Sequence, residues 1–370
     1  MKDVCKRDRN RDHKGPEVGA LPHASQGMRL VLDMGGTCIR YGHVDHKGMF
    51  GHSQFCTEKI AREISTPHDL CEMLLKRIST VDEQQKNFVF SFAGPISADN
   101  RVVRKYTNVL PDETDIPVAD MVEKAARERM GREVRVYVIK DAVASTMAEM
   151  GPQGAAADRN EVIALILGTG TGGAPCKRLA NGEITCPDAL ADLGHHQVDM
   201  TFDESCNCGA TGCVERQTSG SAIVELLNRR AGDARFMEGF HSSKIFRDRG
   251  ILPGAITGED ISWAVNGGDS FAIDGLREAA RPLSLLLRNV FTSHPGMTVV
   301  FVGGFALGVG GVLLDLVRGA LRESGIPFVG PAEVASFVET RILLGAIPSD
   351  RTNLVGARQF LLQMELQTAH

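Results

Sequence analysis

Aromatic residues are scarce in this sequence of 370 residues: Phe, Trp and Tyr together make up 5%, and Trp263 is the only tryptophan. Flat rings on which bases or sugars stack are therefore few. The formal net charge is only −5, which gives no overall attraction to nucleic acid or to anionic lipid. No segment reaches the roughly 18–20 apolar residues that cross a bilayer, and the N-terminus lacks the apolar core of a secretory signal. We expect a cytoplasmic protein without a membrane or nucleic-acid partner.

The chain has nine cysteines, an odd number, so they cannot all be paired in disulfide bonds within the chain. Cys206 and Cys208 form a C-x-C step. In a reducing compartment this spacing favours metal ligation over a disulfide framework.

Regular periodicity is absent from residues 1–27, where acidic residues are interleaved with basic ones. We expect a disordered tail there. A basic arm that binds nucleic acid is the alternative, but the interleaved acids argue against it.

The rest of the chain consists of two halves with the same pattern. Residues 28–44 predict a strand, a glycine turn and a returning strand, and residues 162–179 repeat this order. Each half later adds a strand that ends in glycine, at Gly94 and at Gly303-Gly304. The repetition predicts a duplicated α/β fold, with two domains and a cleft between them. We place the domains at residues 28–140 and 141–351, with a C-terminal helix at 352–370 that packs back on the first.

Two turns rich in glycine and threonine follow the opening strands of the halves. They are Asp33-x-Gly35-Gly36-Thr37 and Gly168-Thr169-Gly170-Thr171-Gly172-Gly173. Glycine takes positive φ and has no Cβ, so several backbone N–H groups can converge on a phosphate, and threonine adds a hydroxyl donor. Facing each other across the cleft, the two turns would hold the triphosphate of a nucleotide. Asp33 would hold the accompanying Mg²⁺ through water.

Two alternatives remain for the second turn. Gly168, Gly170 and Gly173 match the G-x-G-x-x-G pattern of dinucleotide-binding folds, but that pattern must open a helix. Pro175 and Asn181-Gly182 predict a hairpin here instead. The other alternative is a pair of flexible turns without a ligand, which the matching positions of the turns in both halves disfavour.

Three cysteines lie within eight residues, at Cys206, Cys208 and Cys213. The glycines between them let the chain fold back, so that the thiolates can converge on one ion. Either His195 or His196 would complete a Cys₃His set, which is typical of structural zinc. Free buried thiols are the alternative. A catalytic zinc is not expected, because four protein ligands leave no open position.

From residue 28 to 370 the sequence resembles the ROK family of sugar kinases and sugar-responsive repressors, within the actin and hexokinase superfamily of ATPases. The matching motifs are D-x-G-G-T-x-x-R from Asp33, Ala93-Gly94-Pro95, the strand end at Asp141, the D-L-G-H step from Asp192, and C-x-C-G-x-x-G-C-x-E from Cys206 to Glu215. The last of these is the most specific. The resemblance implies an actin-like (ribonuclease H-like) ATPase fold and a homodimer.

The resemblance also implies roles for individual residues on the nucleotide side. Asp141 would be the general base that takes the proton from a sugar hydroxyl as it attacks the γ-phosphoryl group of ATP. A helix N-cap is the alternative role for this aspartate. Gly303 and Gly304 would form the adenosine-side turn.

On the sugar side, the resemblance implies that Asp192 and Glu215 bind sugar hydroxyls. Gly94 and Asn108 are weaker candidates. His195, rather than its neighbour, would bind zinc and hold that wall of the sugar pocket in place.

Three departures from the family pattern fall on the sugar side. Lys140 stands where family members that phosphorylate glucose-like sugars usually have Asn, and Asp192 stands where they have Glu. The turn usually written N-L-P has an extra residue at Asn108-Val109-Leu110-Pro111. The Lys140 cation would lower the pKa of Asp141 or contact a different substrate group, and the shorter Asp192 would lose a hydroxyl contact or leave it to water. We therefore expect use of ATP with an acceptor other than glucose, with an epimer such as allose as a candidate.

These observations predict an ATP-dependent hexose kinase that acts on the 6-hydroxyl group if it follows the family. A sugar-binding regulator that has lost catalysis and a kinase of N-acyl amino sugars are the alternatives. Family repressors carry an N-terminal helix-turn-helix domain, and only 27 irregular residues precede the first strand here, so DNA binding is disfavoured.

Overall fold

The computed structural model describes residues 27–35, 38–59, 64–106, 109–186 and 192–368. The tail expected at residues 1–27 lies outside this part of the chain, apart from Gly27. In chain order the strands are β1 (Arg29–Met34), β2 (Cys38–Val44), β3 (Phe50–Lys59), β4 (Asn87–Phe92), β5 (Val103–Tyr106), β6 (Leu110–Ile116), β7 (Arg135–Lys140), β8 (Glu161–Leu167), β9 (Thr171–Arg178), β10 (Ile184–Thr185), β11 (Thr298–Val302) and β12 (Ile342–Leu344).

The strands form two five-stranded sheets of the same topology and a separate hairpin of β5 with β6. The first sheet has the order β3-β2-β1-β4-β7, and the second has the order β10-β9-β8-β11-β12. In both, the first three strands are antiparallel and the last two run parallel to the third. The predicted duplicated α/β fold is confirmed, and the two glycine turns follow the equivalent strands β1 and β8.

Helices cover the sheets. They are α1 (Pro67–Ile78), α2 (Val118–Met130), α3 (Asp141–Met150), α4 (Glu215–Thr218), α5 (Gly220–Gly232), α6 (Met237–Ser242), α7 (Lys244–Arg247), α8 (Gly258–Asn266), α9 (Ser270–Ser293), α10 (Gly304–Val309), α11 (Gly311–Ser324), α12 (Pro331–Arg341) and α13 (Thr352–Thr368). The strands β1, β4 and β11 are buried along almost their whole length, which is typical of strands covered on both faces. Among the helices described, none is long and apolar enough to span a membrane.

Helix α3 connects the two sheets. It begins directly after β7 in the first sheet and packs against β8 and β9 in the second. Helix α13, the last in the chain, packs against α3 and against β1, β2 and β4. The division of the chain at residue 140 stays a prediction, since α3 contacts strands of both sheets.

The contact between α13 and α3 requires a glycine. A Cβ atom at residue 356 would lie 1.7 Å from the carbonyl oxygen of Ala144. Gly356→Ala is therefore expected to lower the free energy of unfolding by about 1–3 kcal/mol through overpacking. The matched control is Gly319→Ala on α11, where no atom lies within 4 Å of such a Cβ. Because alanine is the better helix former, this change should raise stability by up to about 1 kcal/mol. Urea unfolding measures both changes in the free energy of unfolding. Changes of the same sign in the two variants would contradict the close packing at Gly356.

Candidate active site

The first glycine turn connects β1 to β2 and is described only at Gly35, because Gly36 and Thr37 lie outside the described residues. The hydroxyl group of Tyr106, at the end of β5, donates a hydrogen bond of 2.8 Å to the Gly35 carbonyl oxygen. Burial raises the pKa of Tyr106, as do the charges of Asp33 and Asp141. The tyrosine therefore keeps its proton and holds the start of the turn.

Asp33 lies near the end of β1, and its carboxylate is buried in a network of side chains. Oδ1 accepts hydrogen bonds from Ser91 and Asn353, both at 3.0 Å, and Oδ2 accepts one from Arg40 at 3.1 Å. Burial raises the pKa of Asp33, although these three neighbours oppose the shift. Because both oxygens already accept hydrogen bonds, a Mg²⁺ ion beside this residue fits best through bound water.

The second glycine turn joins β8 to β9 in a hairpin, in which residues 161–167 pair with residues 171–177. A strand and not a helix follows the turn, so the dinucleotide-binding alternative is excluded, as the hairpin signals predicted. The Gly168 N–H donates to the Gly170 carbonyl at 2.9 Å, and the Gly220 N–H donates to the Gly168 carbonyl at 2.8 Å. The turn is thus fixed both from within and by the start of α5.

Glu215, the first residue of α4, holds the same turn from another side. Its Oε2 accepts the Thr171 N–H at 3.0 Å, and a Cβ at residue 170 would lie 2.6 Å from this oxygen. The hydroxyl oxygens of Thr171 and Thr218 are 3.1 Å apart. Glycine at position 170 is therefore explained by contact with Glu215. This glutamate, predicted to bind a sugar hydroxyl, already uses one oxygen to fix the Gly168 turn.

Gly303 and Gly304 lie where β11 ends and α10 begins. Gly303 has a φ of 96°, and a Cβ there would lie 2.6 Å from the carbonyl oxygen of Leu167. Since β11 pairs with β8, this turn lies beside the Gly168 turn. Its role on the adenosine side stays a prediction.

Asp141 is the first residue of α3, directly after β7. Lys140 is the N-cap residue of this helix, so the N-cap alternative for Asp141 is wrong. The Asp141 carboxylate accepts the N–H of Ala142 at 2.7 Å. Burial raises the pKa of Asp141 to about 7; Lys140 opposes the shift, and the charges of Asp192 and Asp33 add to it. A carboxylate that exchanges its proton near neutral pH is suited to general-base catalysis.

Two of the departures from the family pattern lie in contact with each other. Lys140 Nζ is 2.8 Å from Asp192 Oδ2, and the two side chains are 3% and 23% exposed. The other oxygen of Asp192 accepts the Gly194 N–H at 3.2 Å. The Lys140 charge does oppose a high pKa at Asp141, as expected, but burial outweighs it and the net shift is upward. The ion pair was not predicted from the sequence. The usable signal was a lysine in place of the usual Asn, in a pocket that already contains the carboxylate of Asp192.

The remaining sugar-side candidates lie around the same turn. Asp192 and Glu215 flank it, since Cβ atoms at residues 172 and 170 would lie 3.3 Å and 2.6 Å from their respective carboxylate oxygens. His195 is exposed and ends a short 3₁₀ turn that begins at Leu193. Two candidates do not join this group. Gly94 packs against β5, where its Cβ would lie 2.2 Å from the Lys105 carbonyl oxygen, and Asn108 lies outside the described residues.

His195, Cys206, Cys208 and Cys213 form one cluster, and their ligand atoms all lie within 4.8 Å of one another. The Sγ atoms of Cys208 and Cys213 are 3.6 Å apart, and Cys206 Sγ is 3.7 Å from His195 Nδ1. A tetrahedral zinc with Zn–S bonds near 2.3 Å separates two sulfurs by about 3.8 Å. The donor set and the spacing therefore fit Zn²⁺, and the cluster contains the histidine that the resemblance selects.

The cluster is linked to the second glycine turn through Glu215. Cys206 Sγ lies 3.6 Å from Glu215 Oε1, while Oε2 of the same carboxylate binds the turn at Thr171. The four candidate ligands would thus brace one wall of the cleft rather than take part in chemistry.

A disulfide bond joins Cys176 on β9 to Cys186 just after β10. From the C-x-C step we expected metal ligation rather than a disulfide framework, and this bond was not predicted. Antiparallel pairing of Ile184 with Arg178 and of Thr185 with Lys177 brings the two cysteines opposite each other. The turn at Asn181-Gly182 was the signal in the sequence from which this disulfide bond could have been predicted, because it sets the pairing of the two strands.

Two equivalent sheets, each with a glycine turn after its first strand, together with the Asp141 carboxylate at the start of a connecting helix, define a two-domain ATPase of the actin type. Within this class the chain belongs to the ROK family, whose model matches residues 29–324. The recognition made from the motifs is confirmed.

Several characterised relatives are kinases of sugars or cyclitols. The chain is 28% identical over 312 residues to the C(7)-cyclitol 7-kinase of Streptomyces hygroscopicus subsp. jinggangensis, covering 80% of this chain and 84% of that protein. It is 27% identical over 337 residues to the glucokinase of Thermotoga maritima, covering 86% and 96%. A ROK family glucokinase from Streptomyces griseus, solved with glucose and AMPPNP, superimposes with a TM-score of 0.71 at 25% identity, covering 91% of this chain and 100% of that chain.

Proposed function

We propose that the protein transfers the γ-phosphoryl group of Mg²⁺-bound ATP to the 6-hydroxyl group of a hexose, or to the corresponding hydroxyl of a hexose-like cyclitol. The observation that carries this proposal is Asp141, a carboxylate at a strand end whose pKa is raised to about 7 by burial. The neighbouring glycine turns supply backbone donors of the kind that phosphates need.

In this mechanism Asp141 accepts the proton of the acceptor hydroxyl as its oxygen attacks the γ-phosphorus. The bond between that phosphorus and the bridging oxygen breaks, and ADP leaves. The Gly168 turn, held by Glu215 and Gly220, would bind phosphate oxygens, and Mg²⁺ would neutralise their charge. Positioning and charge neutralisation supply most of the acceleration in phosphoryl transfer.

The comparisons support the enzyme class, an ATP-dependent carbohydrate kinase. The identity of the phosphoryl acceptor is a narrower question. The ion pair of Lys140 and Asp192 provides information about it. Both Asp192 oxygens already accept hydrogen bonds, from Lys140 and from Gly194. A site that binds hydroxyls by hydrogen bonds discriminates strongly between substrates that place them differently. We therefore propose an acceptor whose hydroxyl pattern differs from that of glucose.

A sugar-binding regulator without catalysis is the second candidate. The same ion pair favours it, because Lys140 and Asp192 satisfy each other and so reduce the groups available to orient an acceptor. A third candidate, a kinase of N-acyl amino sugars, differs only in the acceptor and is covered by the same assay.

An ADP-release assay over aldohexoses, ketohexoses, N-acetylated amino sugars and C7-cyclitols tests the proposal, with Asp141→Asn as the inactive control. We expect turnover with at least one acceptor and preference for one other than glucose. Sugar-dependent thermal stabilisation without turnover on any acceptor would replace the kinase with the regulator.

The ion pair also predicts the pH dependence of catalysis. Lys140→Met removes a cation that opposes the high pKa of Asp141 and leaves Asp192 unpaired, so the pKa of Asp141 should rise by about one unit. Asp192→Asn removes an anion and leaves the lysine charge, so the pKa should fall. The base is active when ionised, and the acid limb of kcat/KM should therefore move to higher pH in the first variant and to lower pH in the second.

Profiles of kcat/KM against pH for the two single variants and the double variant provide the measurement. The double variant restores net neutrality beside Asp141 and should have an acid limb close to that of the native protein. Shifts of the same direction in both single variants would show that the pair does not act through charge.

A further inference from the structure

A second cleft lies at the end of the second sheet that is remote from the glycine turns. Its cavity volume is about 440 Å³. It is lined at the first residues of β8 and β11, Glu161 and Thr298, and at Arg178, the last residue of β9. Since β8 and β11 end at the Gly168 and Gly303 turns, the cleft and the candidate active site lie at opposite ends of the same strands.

Cations outnumber anions in this cleft. The lining contains the cations Arg159, Lys177, Arg178 and Arg341, and the carboxylates Asp158 and Glu161. Lys177 pairs with Glu161 at 3.0 Å, and Arg159 lies 3.4 Å from Asp158. Both carboxylates are thus already matched with a cation.

Arg178 and Arg341 differ from these pairs. Arg178 donates to the carbonyl oxygens of Met150 and Ala157, and Arg341 donates to that of Gly296. In the part of the chain that the structure describes, neither guanidinium group has a carboxylate partner. Two full positive charges therefore face the cleft region without a counterion from the protein.

One buried polar atom of the lining lacks a hydrogen-bond partner. Thr298 is fully buried, and its hydroxyl group has none among the described residues. A buried polar group without a partner costs free energy, which a bound ligand or water would relieve. A hydroxyl group can donate to a phosphate oxygen.

We propose that this cleft binds a small phosphorylated polyol. A phosphate monoester is dianionic and offers three acceptor oxygens, which match two guanidinium groups and the orphan hydroxyl of Thr298. The polyol hydroxyls would donate to the carboxylates of Asp158 and Glu161 at the rim. The volume lies within the usual range for small-molecule sites.

The cleft is also joined to the helix that carries Asp141. Arg178 donates to the carbonyl of Met150, which is the last residue of α3, and Asp141 is the first. A ligand that binds Arg178 thus contacts a residue that holds the far end of this helix. The ligand class follows from the lining alone and does not rest on the proposed kinase activity.

Isothermal titration calorimetry tests the proposal without turnover. The probes are glucose 6-phosphate, inorganic phosphate and glucose, each titrated into protein saturated with Mg²⁺ and AMPPNP so that the γ-phosphate position of the active site is filled. We expect glucose 6-phosphate to bind, inorganic phosphate to bind more weakly, and any binding of glucose to be unchanged by substitution of Arg341.

Arg341→Gln should weaken the binding of glucose 6-phosphate about tenfold, as expected for loss of one charge-assisted hydrogen bond. Thr298→Val keeps the shape of the side chain and should weaken it by a smaller factor. The control is Arg322→Gln, an exposed arginine on α11 that pairs with Glu339 and carries the same charge change.

Unchanged affinity in both cleft variants, or an equal loss in the control, overturns the proposed site. Glucose 6-phosphate that binds the protein without nucleotide but not the protein saturated with AMPPNP belongs to the active site, and this result also overturns the proposal. Inorganic phosphate that binds as tightly as glucose 6-phosphate overturns the polyol part of the ligand class. Absence of turnover in the ADP-release assay would leave these titrations unaffected.

Discussion

Asp141→Asn is expected to lower kcat about 10²–10⁴-fold, the usual contribution of a general base. The amide keeps the shape of the side chain and can still bind the Ala142 N–H through its oxygen, so the glycine turns should be unchanged. Binding of AMPPNP, measured by calorimetry, should remain within about threefold of the native value, since a base contributes little to ground-state binding. Turnover close to native would show that another group accepts the proton.

The same substitution should stabilise the protein at alkaline pH. The folded-state pKa of Asp141 is raised to about 7 from 3.8, so folding disfavours the ionised form. Below pH 3.8, Asp141 is protonated in both the folded and the unfolded protein, so its ionisation costs no stability. As the pH rises from 3.8 to about 7, the unfolded protein ionises first, and the native protein loses stability relative to the asparagine variant. The difference in Tm between variant and native protein should grow over this interval and level off above it.

Thermal melts at pH 5 and pH 8 measure this difference. Asp315→Asn provides the control, because Asp315 is exposed on α11 and loses the same charge. A gain in Tm at pH 8 that appears equally in the control would reflect net charge and not burial of Asp141. A gain in Tm found only in Asp141→Asn, together with its loss of turnover, would show that the ionised Asp141 carboxylate lowers stability and is needed for catalysis.

Much of the fold was predictable because local signals repeat in both halves. An apolar strand that breaks into glycine is visible at Leu167-Gly168 as it is at the end of β1, and the Asn181-Gly182 turn marks the hairpin that follows. These signals act over a few residues and need no tertiary information. They gave the duplicated fold, the hairpin that excludes a dinucleotide loop, and the cluster of three cysteines.

The contacts between distant residues were not predictable in the same way. Lys140 and Asp192 are 52 positions apart, and each alone suggested an impaired site. Their contact shows that the Asp192 carboxylate balances the charge that Lys140 adds to the pocket. Likewise Asp33 accepts a hydrogen bond from Asn353, 320 positions away, which no local pattern indicates. Such pairs depend on how α3 and α13 pack in the folded protein. The periodicity of the sequence carries no information about how two distant elements are placed against each other.

Glu215 illustrates a further limit of motif-based assignment. The resemblance implied a sugar contact, but the structure shows one oxygen accepting the Thr171 N–H in the Gly168 turn and the other 3.6 Å from Cys206 Sγ. The residue therefore connects the cysteine cluster to the Gly168 turn, whatever else it binds. It follows that the state of the cluster should affect the nucleotide side of the cleft.

Removal of the proposed zinc is accordingly the second large effect that we expect. Structural zinc in small domains contributes roughly 10–16 kcal/mol of apparent binding free energy at neutral pH, and part of this would be lost from the region around Cys206–Cys213. Cys213→Ser should abolish stoichiometric zinc, lower the Tm by more than about 5 °C, and raise the KM for ATP because Glu215 no longer holds Thr171 in place. Elemental analysis, thermal melts and initial rates provide the three measurements.

The control for this change is Cys71→Ala, which removes a buried thiol on α1 outside the cluster. It should lower the Tm modestly and leave both the zinc content and the KM for ATP unchanged. Native protein that contains no zinc, keeps its Tm in a strong chelator and matches Cys213→Ser in its KM for ATP would show that the four residues are free side chains. If the zinc content and the KM for ATP change together, the ion acts on the phosphate turn through Glu215 and not only on the stability of its own loop.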